Sequence, residues 1–228
     1  MNERVTAVIL AAGSGSRMKL GVTKQKIIIG NESVLHRTVR IFNSCSAISN
    51  IIVVVRADEI DFAKGELSEF SKVQNIVAGG SCRFESAKIG FAFVDKSADY
   101  VAVHDAARCF VTDGIIKDVV KDAVKFGAAT ASAPITDTVK SIDSEGNITS
   151  TVDRCGLMMV QTPQIFSVEL YKKAISNESK NAENITDDNM LVEAIGGKIH
   201  CTDTGKYNIK ITHKEDLQYA EFLLNGEK

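Results

Sequence analysis

The sequence predicts an α/β fold with a doubly wound, mostly parallel sheet, on three observations. Over residues 1 to 135, short β-branched runs alternate with stretches whose apolar residues recur at helical spacing. Glycine-bearing turns follow the first and third of those runs. The 228 residues, 44% hydrophobic and 25% charged, suffice for one large domain with a substantial core. The strands are read as VTAVILA (5–11), IIVVV (51–55), NIVAG (75–79), YVAVHD (100–105) and ATASAPI (129–135). Between them, Val34, Leu35, Val39, Phe42 and Cys45 make one helical stripe, and Ile115, Ile116, Val119, Val120, Ala123 and Val124 another. Right-handed crossovers would gather the loops after these strands on one edge of the sheet, where such folds bind ligands.

The pattern changes at 136–160. DTVKSIDSEGNITSTVDRCG reads as two strands around a turn at Ser144-Glu145-Gly146-Asn147, polar enough to project from the core. An isolated ribbon is marginal in water, so a second copy of the chain is expected to pack on it, giving a homodimer. Beyond it come QTPQIF, a helix from about 168 to 177, another from about 187 to 196, a strand KIHCT, then NIKI and a last helix opened by a capping box at Thr212-His213-Lys214-Glu215. No linker divides the chain, so residues 1–228 are read as one domain.

Composition narrows the function classes. A formal charge of −2 and no block of basic residues argue against nucleic acid or an anionic membrane as partner. The apolar N-terminal run is too short for a membrane helix and is read as the first strand. The five cysteines are odd in number and widely spaced, with no zinc pattern, as expected of reduced thiols in a cytoplasmic protein.

The chemistry-bearing residues lie at the ends of the strands. In LAAGSGSRM, Gly13 and Gly15 allow positive φ and close backbone approach, so that N–H groups can cradle phosphate, and Arg17 adds a forked cation. The stretch is neither a G-x-G-x-x-G fingerprint nor a P-loop, and locally it is equally well a plain turn. Lys24 follows within reach of the same polyphosphate. Gly79-Gly80, with Arg83 and Ser86 after it, is a second turn able to admit a flat base or simply to connect tightly. Asp105, ending a strand in HDAAR, suits a magnesium ligand or hydroxyl acceptor, or a structural pair with Arg108. His104 reads as a packed strand histidine.

Taken together, LAAGSGSRM, TKQ, GGSCRFES, HDAAR, DTVK, VDR, QTPQIF, TDD and NIKIT occur in the order and approximate spacing of the IspD-type cytidylyltransferases, which this chain resembles over nearly its whole length. Ribitol-phosphate cytidylyltransferases are similar, but typically carry LAGG and HDAVR where this chain has LAAG and HDAAR. The resemblance implies a Rossmann-like fold of nucleotidyltransferase type, with the 136–160 hairpin as dimerisation arm. It implies transfer of a cytidylyl group from CTP to 2-C-methyl-D-erythritol 4-phosphate, with release of pyrophosphate; the alternative acceptor is another polyol phosphate such as ribitol 5-phosphate. It also implies Mg²⁺ held mainly by the CTP phosphates, with Asp105 a possible ligand.

Carried over residue by residue, the resemblance makes Arg17, Lys24 and Lys210 the catalytic cations. Ala11, Ala12, Gly13, Gly15, Gly79, Gly80, Ser86 and Ala107 would line the nucleotide site. Asp105, Arg108, Thr138, Arg154, Thr162, Thr186 and Lys210 would hold the sugar-alcohol phosphate, with Arg154 entering the partner's site from the arm. The sequence departs from the pattern at four places. Thr23 stands where proline usually precedes Lys-Gln, Lys26 where an aromatic is common, Cys109 where proline follows HDAAR, and Ala87 where valine follows the serine. Loss of two prolines is expected to leave those loops less pre-ordered.

Overall fold

The computed structural model describes residues 3–13, 22–177 and 185–226. In chain order, β1 (Val5–Ala11) leads through a small hairpin, β2 (Ile28–Ile29) and β3 (Glu32–Ser33), into α1 (Val34–Ser44). Then follow β4 (Asn50–Val55), α2 (Ile60–Glu66), β5 (Val73–Ala78), α3 (Arg83–Phe91), β6 (Tyr100–Asp105), α4 (Asp113–Phe126) and β7 (Ala128–Pro134). The arm is β8 (Lys140–Ile142) and β9 (Ile148–Thr151). After it come β10 (Met158–Ser167), α5 (Val168–Ser176), α6 (Asn189–Ala194), β11 (His200–Asp203) and α7 (Asp216–Gly226).

Seven strands form one sheet in the order β11-β7-β10-β6-β1-β4-β5. Every neighbouring pair is parallel except those of β10, which runs antiparallel between β6 and β7. The five strands read from sequence are all present. The QTPQIF segment, left without an assignment by the sequence, completes the sheet as part of β10. Its pairing with β7 shifts register between Val160 and Gln164, releasing Gln161 and Thr162 from regular pairing with β7 beside the sheet edge.

The central strands are buried on both faces, which is why they read as nearly unbroken β-branched runs. One core lies under α1, α2 and α4, around Ile9, Leu35, Phe42, Val53 and Ile116. A second lies under α3, α5 and α6, around Val8, Val54, Phe166 and Tyr171, and a smaller third gathers Ile29, Val34, Phe110 and Ile211. Local chemistry fixes the helix ends: Ser33 Oγ accepts from His36 N at the start of α1, and Gly127 ends α4 at φ +88°. The expected capping box at Thr212 does not form. Helix α7 begins at Asp216, whose carboxylate accepts from the backbone N–H groups of Thr212 and His213, while Thr212 Oγ1 donates to Lys210 O.

The chain turns back on itself after β5, so that β6 lies on the other side of β1. This strand-order reversal opens a crevice at the carboxyl ends of β1, β4, β5 and β6, the usual place for a ligand in such sheets. Among the described residues, no helix is long and apolar enough to cross a membrane.

Candidate active site

A cleft of about 970 Å³ occupies that crevice. Its walls are the segments leaving four strands: Ala11 to Gly13 after β1, Arg56 to Asp58 after β4, Gly79 to Arg83 after β5, and Asp105 to Ala107 after β6. Ser86, Lys24, Gln25, Thr186 and Lys210 also line it. A second cavity of about 260 Å³ shares Arg83, Asp105, Thr186 and Lys210 with the first and adds Arg108, Gln161, Thr162 and Gln164. Thus Ala11, Ala12, Gly13, Gly79, Gly80, Ser86, Ala107 and Lys24 meet in the large cleft, while Arg108 and Thr162 line the smaller one. Arg17 and Gly15 lie outside the described residues.

Thr138 and Arg154 line neither cavity of the single chain. Arg154 sits in a 3-10 turn (Arg154–Gly156), where its guanidinium donates to the backbone oxygen of Thr136. The arm turns at Asp143, whose carboxylate accepts from Glu145 N and Asn147 N. Its side chains are mostly exposed, including Ile142 and Ile148.

Gly13 does not adopt positive φ. Gly79 is required by close packing: a Cβ there would stand 2.6 Å from Ala12 Cβ and 2.7 Å from Ser86 Oγ. It lets the loop after β5 close against the loop after β1. Gly80 N then donates to Ser86 Oγ, which in turn donates to Cys82 O, so α3 begins tied to this turn.

Electrostatics center on Asp105. Its Oδ2 accepts from Lys210 Nζ at 2.6 Å, and its Oδ1 from Arg83 Nε at 3.3 Å. The structural pair with Arg108, one of the alternatives the sequence leaves open, gives way to this one, because Arg108 Nη1 turns to Asn208 O at 2.9 Å. Burial alone would raise the Asp105 carboxyl, but Arg83, Lys210 and Arg108 together hold it well below the usual carboxylate range. Arg83 continues to Asp188 Oδ2 at 2.6 Å, and Asp188 Oδ1 accepts from Tyr171 OH at 2.5 Å. Burial opposes the Arg83 charge, yet the two aspartates outweigh it and hold the guanidinium protonated. Tyr171 is raised, first by burial and then by Asp188. Gln164 accepts from Asp188 N, locking the 187–188 segment to β10.

His104 is a packed histidine, as its sequence setting suggests. Thr162 Oγ1 accepts from Asp105 N, which leaves the hydroxyl proton for His104 Nδ1 at 3.1 Å. The ring proton therefore sits on Nε2 and is donated to Arg108 O. Burial lowers the imidazole to about 3, so it is neutral.

Both Asp105 oxygens thus face protein cations. Among the described residues no group of three or more His, Cys, Asp or Glu could hold a metal. Asp105 does not fit the part of a metal ligand. The sequence reading passed over Asp188, Tyr171, Gln25 and Gln164 and gave Arg83 no role. Arg83 carried a signal, a cation just past a glycine turn, and Gln164 and Asp188 lie within the motifs QTPQIF and TDD; the role of Tyr171 became legible only once α5 packed against Asp188, and that of Gln25 only once its turn met the loop after β1.

Fold and cleft define a nucleotide-binding α/β protein of the doubly wound class, with bare backbone and lysines at the switch point of its sheet. The chain belongs to the IspD family, described as 2-C-methyl-D-erythritol 4-phosphate cytidylyltransferase, whose sequence profile matches residues 5–226. It is 41% identical over 221 residues to the protein of that name from Clostridium acetobutylicum, covering 96% of each chain. The Clostridium perfringens (strain 13) relative of the same name is 38% identical, with 97% of this chain and 99% of the relative covered. Among solved structures, the 4-diphosphocytidyl-2C-methyl-D-erythritol synthase of Anaerococcus prevotii superposes with a TM-score of 0.86 at 29% identity, covering 98% and 97% of the two chains.

Proposed function

We propose that this protein transfers a cytidylyl group from CTP to 2-C-methyl-D-erythritol 4-phosphate, forming 4-diphosphocytidyl-2-C-methylerythritol and pyrophosphate. One observation carries the reading beyond family membership: the loops after β1, β5 and β6 share one cleft with Lys24 and Lys210. An acceptor phosphate oxygen bonds to the α-phosphorus of CTP as the bond to the β-phosphate bridging oxygen breaks, and pyrophosphate leaves. A phosphomonoester loses its second proton near pH ~6, so the nucleophile is already ionised and no general base is needed. The neutral, enclosed His104 accords with that.

The step needs neutralised charge and in-line placement, because an anion approaches an anion. Lys24 and Arg17 serve the triphosphate. Lys210 and Arg108 hold the acceptor phosphate, with Asp105 orienting Lys210 and Thr162 lining the acceptor end. Ala11, Ala12, Gly13, Gly79, Gly80, Ser86 and Ala107 present backbone and small side chains to the nucleotide. Magnesium enters as part of the nucleotide substrate, screening its phosphate charge. The arm, with Ile142 and Ile148 exposed, pairs two copies and carries Thr138 and Arg154 toward the partner's acceptor site. A cytoplasmic setting agrees with five free cysteines.

The test is pyrophosphate release from CTP and Mg²⁺, with methylerythritol phosphate and ribitol 5-phosphate offered separately. Release with the first compound is expected; release only with the second would reassign the acceptor, and silence with both in folded protein would overturn the reading.

A further inference from the structure

We infer that Glu59 is a positioning residue for Lys24, acting through a carboxylate clamp formed by Thr23 and Lys26. The inference rests on the functional reading above. Glu59 closes a 3-10 turn after β4 (Ala57–Glu59), and its side chain is only 4% exposed. A carboxylate so placed is costly unless it is paired. Its Oε1 accepts from the hydroxyl of Thr23 and lies 3.4 Å from Lys26 Nζ. Lys26 is further held over the Phe62 ring, 4.9 Å from its centre.

Of the two residues held by Glu59, Thr23 immediately precedes the 3-10 turn that presents Lys24 to the cleft and Lys26 is its last residue (Lys24–Lys26). Within that turn, Lys24 Nζ donates to Ile211 O at 3.1 Å, next to Lys210. The buried Gln25 donates from Nε2 to Gly13 O at 3.2 Å, reaching the loop after β1. One carboxylate therefore fixes a turn whose side chains touch both the β1 loop and the Lys210 segment. The order that a proline would build into the backbone is here supplied by side chains meeting on Glu59. Thr23 itself has φ −72°, within the range that proline imposes.

The experiment compares Glu59→Ala, Glu59→Gln, Thr23→Val and the double variant Thr23→Val/Glu59→Ala with wild type, below their unfolding temperatures. Readouts are kcat, KM for the acceptor, and CTP affinity by calorimetry. A displaced cation costs rate at the reacting centre, so kcat is expected to fall about tenfold or more in Glu59→Ala, with acceptor KM changed less than twofold. Glu59→Gln, which keeps an acceptor for Thr23, is expected to lie between the two. The double variant should be no worse than Glu59→Ala, because both changes break the same contact. Adding Thr23→Pro to Glu59→Ala should recover at least threefold in kcat. A lowered melting temperature with unchanged kcat, additive losses, or no recovery with proline would each overturn the inference. If wild type releases no pyrophosphate with either acceptor, the functional reading fails by itself. The clamp is then judged on CTP affinity, which Glu59→Ala must weaken and Thr23→Pro restore.

Discussion

The cleft and the arm are built on opposite principles. Around the cleft, Asp105, Arg83, Asp188 and Tyr171 form a continuous buried chain of charge and hydrogen bonds that links β6, α3, α5 and the segment before α6. In the arm, β8 and β9 pair only with each other among the described residues, and their side chains face outward. A site that must neutralise a polyphosphate needs its cations set before the substrate arrives, and enclosure by several elements provides that. An arm expected to meet a second copy leaves its surface uncovered in the single chain, and so can change residues at little cost to its own fold.

The contrast is broken most directly at Arg83. Arg83→Met should destabilise the protein by about 3–5 kcal/mol, because two buried carboxylates lose their shared partner. Urea unfolding would measure this, and a loss under 1 kcal/mol would mean that the network does not hold the cleft together.

Next comes His104. Its folded pKa of about 3 lies below the ordinary value of ~6.5. The unfolded chain therefore takes up a proton in this interval while the folded one does not. Stability from His104 is complete above pH ~6.5 and is lost on acidification toward 3, by about 1.4 kcal/mol per pH unit. Below pH ~4, protonation of Asp105 in the unfolded chain adds a loss of the same sign. Denaturant titrations between pH 4 and 6 should show the His104 slope, flattened in His104→Gln; an unchanged slope would mean that the ring is not enclosed.

A smaller effect separates the two accounts of the last helix. Asp216→Ala should cost about 1 kcal/mol as a lost cap, and Thr212→Ala less than about 0.5 kcal/mol, both read from unfolding midpoints. The smallest effect on folding is expected in the arm. Ile148→Asp should change protomer stability by under about 0.5 kcal/mol while shifting sedimentation from dimer toward monomer. If it unfolds the protomer, the arm is part of the core after all.

Much of this was legible without coordinates. The five strands appear where β-branched runs predicted them, since strands buried on both faces must be apolar throughout. The strand ends carrying Ala11 to Gly13, Gly79-Gly80 and Asp105 to Ala107 follow from the alternation of strand and helix, which leaves those ends on one edge. Residues bound by their immediate neighbours in the chain were also readable, among them the turn of the arm and the helix after Ser33.

Tertiary structure alone decided three things. It set β10 antiparallel between β6 and β7, because a run such as QTPQIF carries no mark of its direction or of its neighbours. It gave Asp105 to Arg83 and Lys210 instead of the nearby Arg108, since which cation reaches a buried carboxylate depends on how separate elements pack. It also made Thr23, whose missing proline suggested a looser loop, and Lys26 partners of Glu59. The sequence by itself determined five of the sheet's strands, the helical stripes of α1 and α4 and the chemistry at the strand ends, because those are local features of the chain. Pairings across 22 to 105 positions, such as Arg83 with Asp105 and with Asp188, exist only once the chain has folded, because ion pairing follows distance in space.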